Sequence, residues 1–97
     1  KELFKPLKNM ISLELSNNSI YNLINFFETI EPIKSNLREL KLDGNSIRTL
    51  VQFSNFSNLE LLDLSNNKIK KIDRETFKGL KRLKYLFKKV FFKIYIF

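Results

Sequence analysis

The chain contains no cysteine, no histidine and no tryptophan. Thiol nucleophiles, imidazole bases, disulfide frameworks and the usual zinc ligand sets are thereby excluded together, which points to a non-enzymatic protein with no cofactor and no metal. Glycine occurs twice, and a lone glycine such as Gly44 cannot build a phosphate-cradling loop. No apolar run reaches the ~18 residues needed to cross a bilayer, and the apolar end Val90–Phe97 is too short, so no transmembrane segment is expected in this chain. The first residue is Lys1, so a leader cannot be read from the N-terminus. Missing cysteine leaves the compartment open, because disulfides of extracellular repeat proteins concentrate in terminal caps.

Acidic residues are scarce only in one region. The net charge is +8, yet Lys1 to Asn67 carries seven basic and eight acidic side chains, while Lys68 to Phe97 carries eleven and two. Ninety-seven residues suffice for one unit with one continuous core.

What is present is a repeat. The pattern Leu-x-x-Leu-x-Leu-x-x-Asn-x-Ile occurs three times in register. Met10, Leu13, Leu15, Asn18 and Ile20 form one copy; Leu37, Leu40, Leu42, Asn45 and Ile47 the next; Leu59, Leu62, Leu64, Asn67 and Ile69 the third. Further spaced apolar residues follow (Leu50, Phe53, Phe56; Ile72, Phe77, Leu80), and Phe4 and Leu7 lead into the first copy. The Leu-x-Leu step has the strand period of two, so these leucines point to a core and the residues between them face out. The Asn must then turn inward and use its amide on backbone groups left without a ladder partner, so that replacing it costs about 1–3 kcal/mol. The residue preceding each Asn is Asn17, Gly44 or Asn66, the two residue types that best tolerate positive φ, which predicts a tight turn there.

In the longer first repeat, Leu23, Phe26, Phe27, Ile30 and Ile33 recur at helical spacing, with Pro32 breaking the run. A helix is expected there. Phe53 to Phe56 and Phe77 to Leu80 recur every three residues, which predicts irregular or short 3-10 segments in the later repeats.

This pattern resembles the leucine-rich repeat family over Phe4 to about Leu86. The resemblance implies an α/β solenoid, a horseshoe fragment with short parallel concave strands and helical or irregular convex segments. It is expected as a single unit over residues 1–97, with repeats at approximately 10–36, 37–58 and 59–82 and a degenerate or truncated fourth over 83–97. The 24-residue step after Leu59 looks like that of Toll-like receptor ectodomains and related animal adhesion proteins; the 22-residue step from Leu37 resembles an intracellular phosphatase-regulator type. The first likeness implies a cell-surface or secreted recognition protein, and the alternative is a cytoplasmic adaptor or enzyme-regulatory subunit.

The fourth copy departs from the pattern. Leu83 and Leu86 open it correctly, but Lys88, Phe91 and Lys93 fall where Leu, Asn and Ile belong, and a frame shifted to Leu80, Leu83 and Tyr85 still puts Lys88 on the Asn. From Phe87 onward only Lys, Val, Phe, Ile and Tyr occur, which predicts a piece of a longer repeat chain, the alternative being a degenerate cap strand.

Outward strand positions form the concave face, which the resemblance assigns to a protein ligand: Ser12, Glu14 and Ser16; Glu39, Lys41 and Asp43; Leu61, Asp63 and Ser65. Asn18, Asn45 and Asn67 form the structural ladder. Glu14, Lys41 and Asp63 should stack into a row of alternating charge, whose plainest reading is a solvated ion network. A catalytic Glu14–Asp63 pair is disfavoured, because Lys41 lies between them on an open face. Leu61 is the one large aliphatic side chain expected on that face. The basic run Lys68, Lys70, Lys71, Arg74, Lys78, Lys81, Arg82, Lys84, Lys88 and Lys89 offers a surface for polyanions. Nucleic acid is disfavoured, since Phe77 is committed to the core and no aromatic is expected free for base stacking. Two glycosylation sequons, at Asn17 and Asn55, should be exposed.

Overall fold

The computed structural model describes residues 11–88 and 95–96. Three-residue strands at Ser12–Glu14 (β1), Glu39–Lys41 (β2), Leu61–Asp63 (β3) and Tyr85–Phe87 (β5) form one parallel sheet in the order β1-β2-β3-β5. Leu13 pairs with Leu40, Leu40 with Leu62 and Leu62 with Leu86, so the leucines of successive coils stack in one column. Leu13, Leu40 and Leu62 are buried and Leu86 is half-buried. The adjoining column Leu42 and Leu64 is fully buried. This parallel solenoid carries its hydrophobic core between the sheet and the return segments.

The strands are short because the chain turns sharply after each one. Asn17 (φ 58°), Gly44 (φ 69°) and Asn66 (φ 56°) all occupy the left-handed region, where Gly and Asn are least penalised. At Gly44 there is a second reason: a Cβ would collide with the Asn17 side chain of the preceding coil. Asn55 also lies at φ 69°, a turn that the repeat pattern does not mark.

The return path of the first coil is an α-helix, Leu23–Thr29 (α1), followed by a 3-10 segment, Glu31–Asn36. Asn22 caps α1, its Oδ1 accepting from the Asn25 N–H at 3.2 Å. Pro32 sits at the start of the 3-10 segment, where its fixed φ is tolerated, so it marks a change of helix type instead of ending helical structure. Leu23, Phe27, Ile30 and Ile33 are buried, as the helical spacing requires, and Phe26 packs against them half-exposed. The later coils return through hydrogen-bonded turns without α-helix. Phe27 lies 5.0 Å from Phe53 and 5.1 Å from Phe56, and Phe53 lies 5.6 Å from Phe77, so one ring from each return path joins an aromatic stack along the solenoid.

The irregular fourth copy still lays a strand on the sheet. Tyr85, Leu86 and Phe87 pair with Leu61, Leu62 and Asp63, an offset of 24 residues. The same offset recurs where Lys71–Ile72 (β4) pairs with Tyr95–Ile96 (β6). The chain adopts the frame opened by Leu83, not the shifted one, so Tyr85 faces out and is 56% exposed. Two inward apolar positions are enough to lay β5 on β3, whereas Lys88 stays exposed because its ammonium cannot enter the column of Leu42 and Leu64. Phe4, Leu7, Met10, Lys89, Val90, Phe91 and Lys93 lie outside the described residues.

Candidate functional site

The asparagines fix how one coil sits on the next. Asn67 is buried, and its Nδ2 donates to the carbonyls of Leu42, Leu64 and Ser65 at 2.9, 3.1 and 3.2 Å while its Oδ1 accepts from the Ile47 N–H at 3.0 Å. Asn45 repeats this one coil earlier, donating to Leu15, Leu42 and Asp43 carbonyls and accepting from the Ile20 N–H. Each therefore satisfies backbone groups of its own coil and of the preceding one. Asn18 departs from the expectation. It is exposed and, among the described residues, donates to the Leu15 and Ser16 carbonyls of its own coil.

On the opposite, open side of the strands, Ser12, Glu14, Glu39, Lys41, Leu61 and Asp63 alternate with the buried leucines, and Ser16, Asp43 and Ser65 follow in the adjoining turns. Across β1 and β2 these residues close up in pairs: Ser12 Oγ to Glu39 Oε1 at 3.3 Å, Lys41 Nζ to Glu14 Oε1 at 3.0 Å, and Ser16 Oγ to Asp43 Oδ1 at 2.6 Å. Lys41 stands between Glu14 and Asp63 in the register, yet it pairs with Glu14. Asp63 instead turns along its own strand, its Oδ1 accepting from the Ser65 N–H at 2.9 Å. The hydrogen bond to Glu14, and its charge, hold the Lys41 ammonium above the ordinary lysine range; desolvation opposes this, and Glu39 and Asp43 add smaller contributions to it. Leu61 is half-buried, flanked by Glu39 and Tyr85.

Two residues of this face escaped the sequence reading. Tyr85 and Phe87 project from β5 beside Leu61 and Asp63 and are 56% and 47% exposed. The expectation that no aromatic is free is thus corrected. The signal was there in the Leu83 frame, where both positions alternate with inward Leu86, but the irregular fourth copy obscured it.

Cavities of about 390, 290 and 230 Å³ are lined by residues such as Arg48 and Asp73, Phe53 and Lys78, and Tyr21 and Val51, and by none from β1, β2, β3 or β5. Among the described residues no acidic cluster is placed to hold a metal, and no helix is long and apolar enough to cross a membrane. Of the basic run, Lys78 pairs with Glu75 at 3.4 Å and Lys84 with Glu60 at 3.7 Å, while Lys68, Lys70, Arg74, Lys81 and Arg82 are exposed. Asn17 and Asn55 are both exposed.

Comparison with known proteins agrees with this architecture. The chain is 37% identical to mouse keratocan over 90 residues, covering 89% of this chain and 24% of keratocan. Human keratocan is 38% identical over 84 residues, covering 82% and 22%. The acidic leucine-rich nuclear phosphoprotein 32 family member A of Drosophila melanogaster is 37% identical over 89 residues, covering 86% and 33%. The chain thus spans about a quarter to a third of the length of the curated relatives it matches. No solved structure matches it. The family model described as Leucine rich repeat matches residues 35–87, more than half of the chain. With its strand columns, asparagine ladder and this match, the chain belongs to the leucine-rich repeat family.

Proposed function

We propose that this chain is a protein-binding module that meets its partner on the open sheet face, within a cell-surface or secreted recognition protein. The observation that carries the first part is the face itself: among the described residues, outward side chains of four parallel strands, with the exposed Tyr85 and Phe87 beside Leu61. Exposed aromatics in an otherwise polar field are the composition of contact surfaces. A photo-cross-linking residue at position 41 or 63 should yield adducts with a protein in cells of the native source, and one at position 78 should not. Equal yields from both sides would refute the assignment.

The secreted setting is supported by the exposure of both sequon asparagines, Asn17 and Asn55. Glycans at these positions on natively produced protein, mapped by mass spectrometry, are the expected result. The intracellular alternative draws on the similarity to a relative named as a nuclear phosphoprotein, and unmodified asparagines at both sites would favour it.

A further inference from the structure

The sheet face and the rest of the molecule carry opposite charge. The chain has a net charge of +8, yet the outward strand positions hold Glu14, Glu39, Asp43 and Asp63 against Lys41 alone. Lys41 is held by Glu14. Glu39 and Asp43 accept neutral hydroxyl donors and Asp63 a backbone N–H, so no cation forms an ion pair with these three among the described residues. The neighbouring rim column Arg38, Glu60, Lys84 adds one net positive charge, and Lys84 is paired with Glu60.

The aromatic end adjoins these carboxylates. Tyr85 and Phe87 are alternate residues of β5, roughly 7 Å apart on one face. Leu61 lies opposite Tyr85 and Asp63 opposite Phe87, about one strand spacing (~4.8 Å) away. A carboxylate next to an open aromatic ring favours a planar cation, which the ring face attracts from above while the carboxylate takes its N–H donors from the side. A guanidinium meets both demands, and an ammonium meets the stacking demand less well.

We propose that the partner presents a basic polypeptide segment whose arginine docks between Tyr85, Phe87 and Asp63, with Glu39 and Asp43 receiving the following positive charges. This rests on the open sheet face being the binding surface and adds the chemistry of what binds there. Nucleic acid offers rings for the same aromatics, but its phosphates would meet Glu39 and Asp63, so the charge of the face selects the basic polypeptide.

The test uses the full chain and four labelled probes: short Gly-Ser peptides carrying several arginines, the same with lysines, the same with neutral citrullines, and an oligothymidine. The arginine peptide should bind and shift the backbone amide resonances of β2, β3 and β5. The lysine peptide should bind about two- to fivefold more weakly, and the citrulline peptide not measurably. Replacing Tyr85 and Phe87 by serine should erase the arginine-over-lysine preference. Asp63→Asn with Glu39→Gln should weaken both charged peptides, by up to about fivefold per carboxylate. Because the peptide series varies only the probe, it decides the matter even if a variant folds poorly.

Equal binding of citrulline and arginine peptides, equal binding of lysine and arginine peptides, tighter binding of oligothymidine at β5, or a dimer of this chain that buries Tyr85 and Phe87 would each overturn the proposal. If cross-links still form from positions 41 and 63 but to an acidic or neutral segment, this inference fails while the binding face stands. If no adduct forms there, the binding face fails first.

Discussion

Replacing Asn67 by alanine tests the principle by which successive coils are joined. The side chain is 3% exposed and serves two coils at once. Its loss strands the Ile47 N–H, whose acceptor is Asn67 Oδ1 at 3.0 Å in a buried setting. The Leu42 carbonyl fares better, because it also accepts from Asn45 Nδ2 at 2.9 Å. One orphaned buried donor costs about 1–3 kcal/mol, and the lost net bonding of the amide adds about 1 kcal/mol, so a total near 3 kcal/mol is expected. Asn18→Ala is the internal control. Asn18 is exposed and, among the described residues, bonds within its own coil, so its replacement should cost no more than about 1 kcal/mol. Urea unfolding followed by far-ultraviolet circular dichroism reads both: with a slope of about 1–1.5 kcal/mol per molar, Asn67→Ala should lower the midpoint by roughly 2 M and Asn18→Ala by well under 1 M. Equal shifts from the two variants would refute the claim that the asparagine acts by bridging coils, since only its within-coil bonds are common to both positions.

Gly44→Ala should destabilise by about 1–2 kcal/mol from its positive φ and from the collision with Asn17. Adding Asn17→Gly should recover part of that loss in a thermal melt, because it clears the collision and leaves the backbone strain. Phe53→Ala, at the centre of the aromatic stack and 1% exposed, should cost about 3–5 kcal/mol and abolish cooperative unfolding of so short a solenoid. Lys41 supplies a pH dependence: its folded pKa is raised, so the stabilisation from the Glu14 contact is complete at neutral pH, below the unfolded lysine value, and is lost as pH rises through the folded one. Glu14→Gln should flatten the alkaline limb of the stability curve as pH rises from the ordinary lysine value through the raised one, and an unchanged limb would contradict the pairing.

What the sequence determined by itself is whatever repeats locally. Strand period two buries Leu13, Leu40 and Leu62, the helical spacing from Leu23 to Ile33 lays down the first return path, and Asn or Gly before each ladder position sets the positive-φ turn. Each follows from the geometry of a few consecutive residues. Contacts between coils were decided only by the tertiary structure. Lys34 is buried 2.8 Å from Glu31 and over the rings of Phe27 and Phe56 at 5.0 and 5.4 Å, a placement the repeat pattern does not mark. Lys41 pairs with Glu14 although Asp63 lies next to it on the other side, a choice the register alone leaves open. Asn18 and Asn67 share one motif, yet Asn67 also bonds the Leu42 carbonyl of the preceding coil, while the described bonds of Asn18 stay within its own. Tyr85 and Phe87 became surface residues once stacking on β3 imposed the 24-residue register on an irregular copy. A motif states which face a residue takes within its own coil; the neighbouring coil determines what that face meets, and that neighbour lies some twenty residues away.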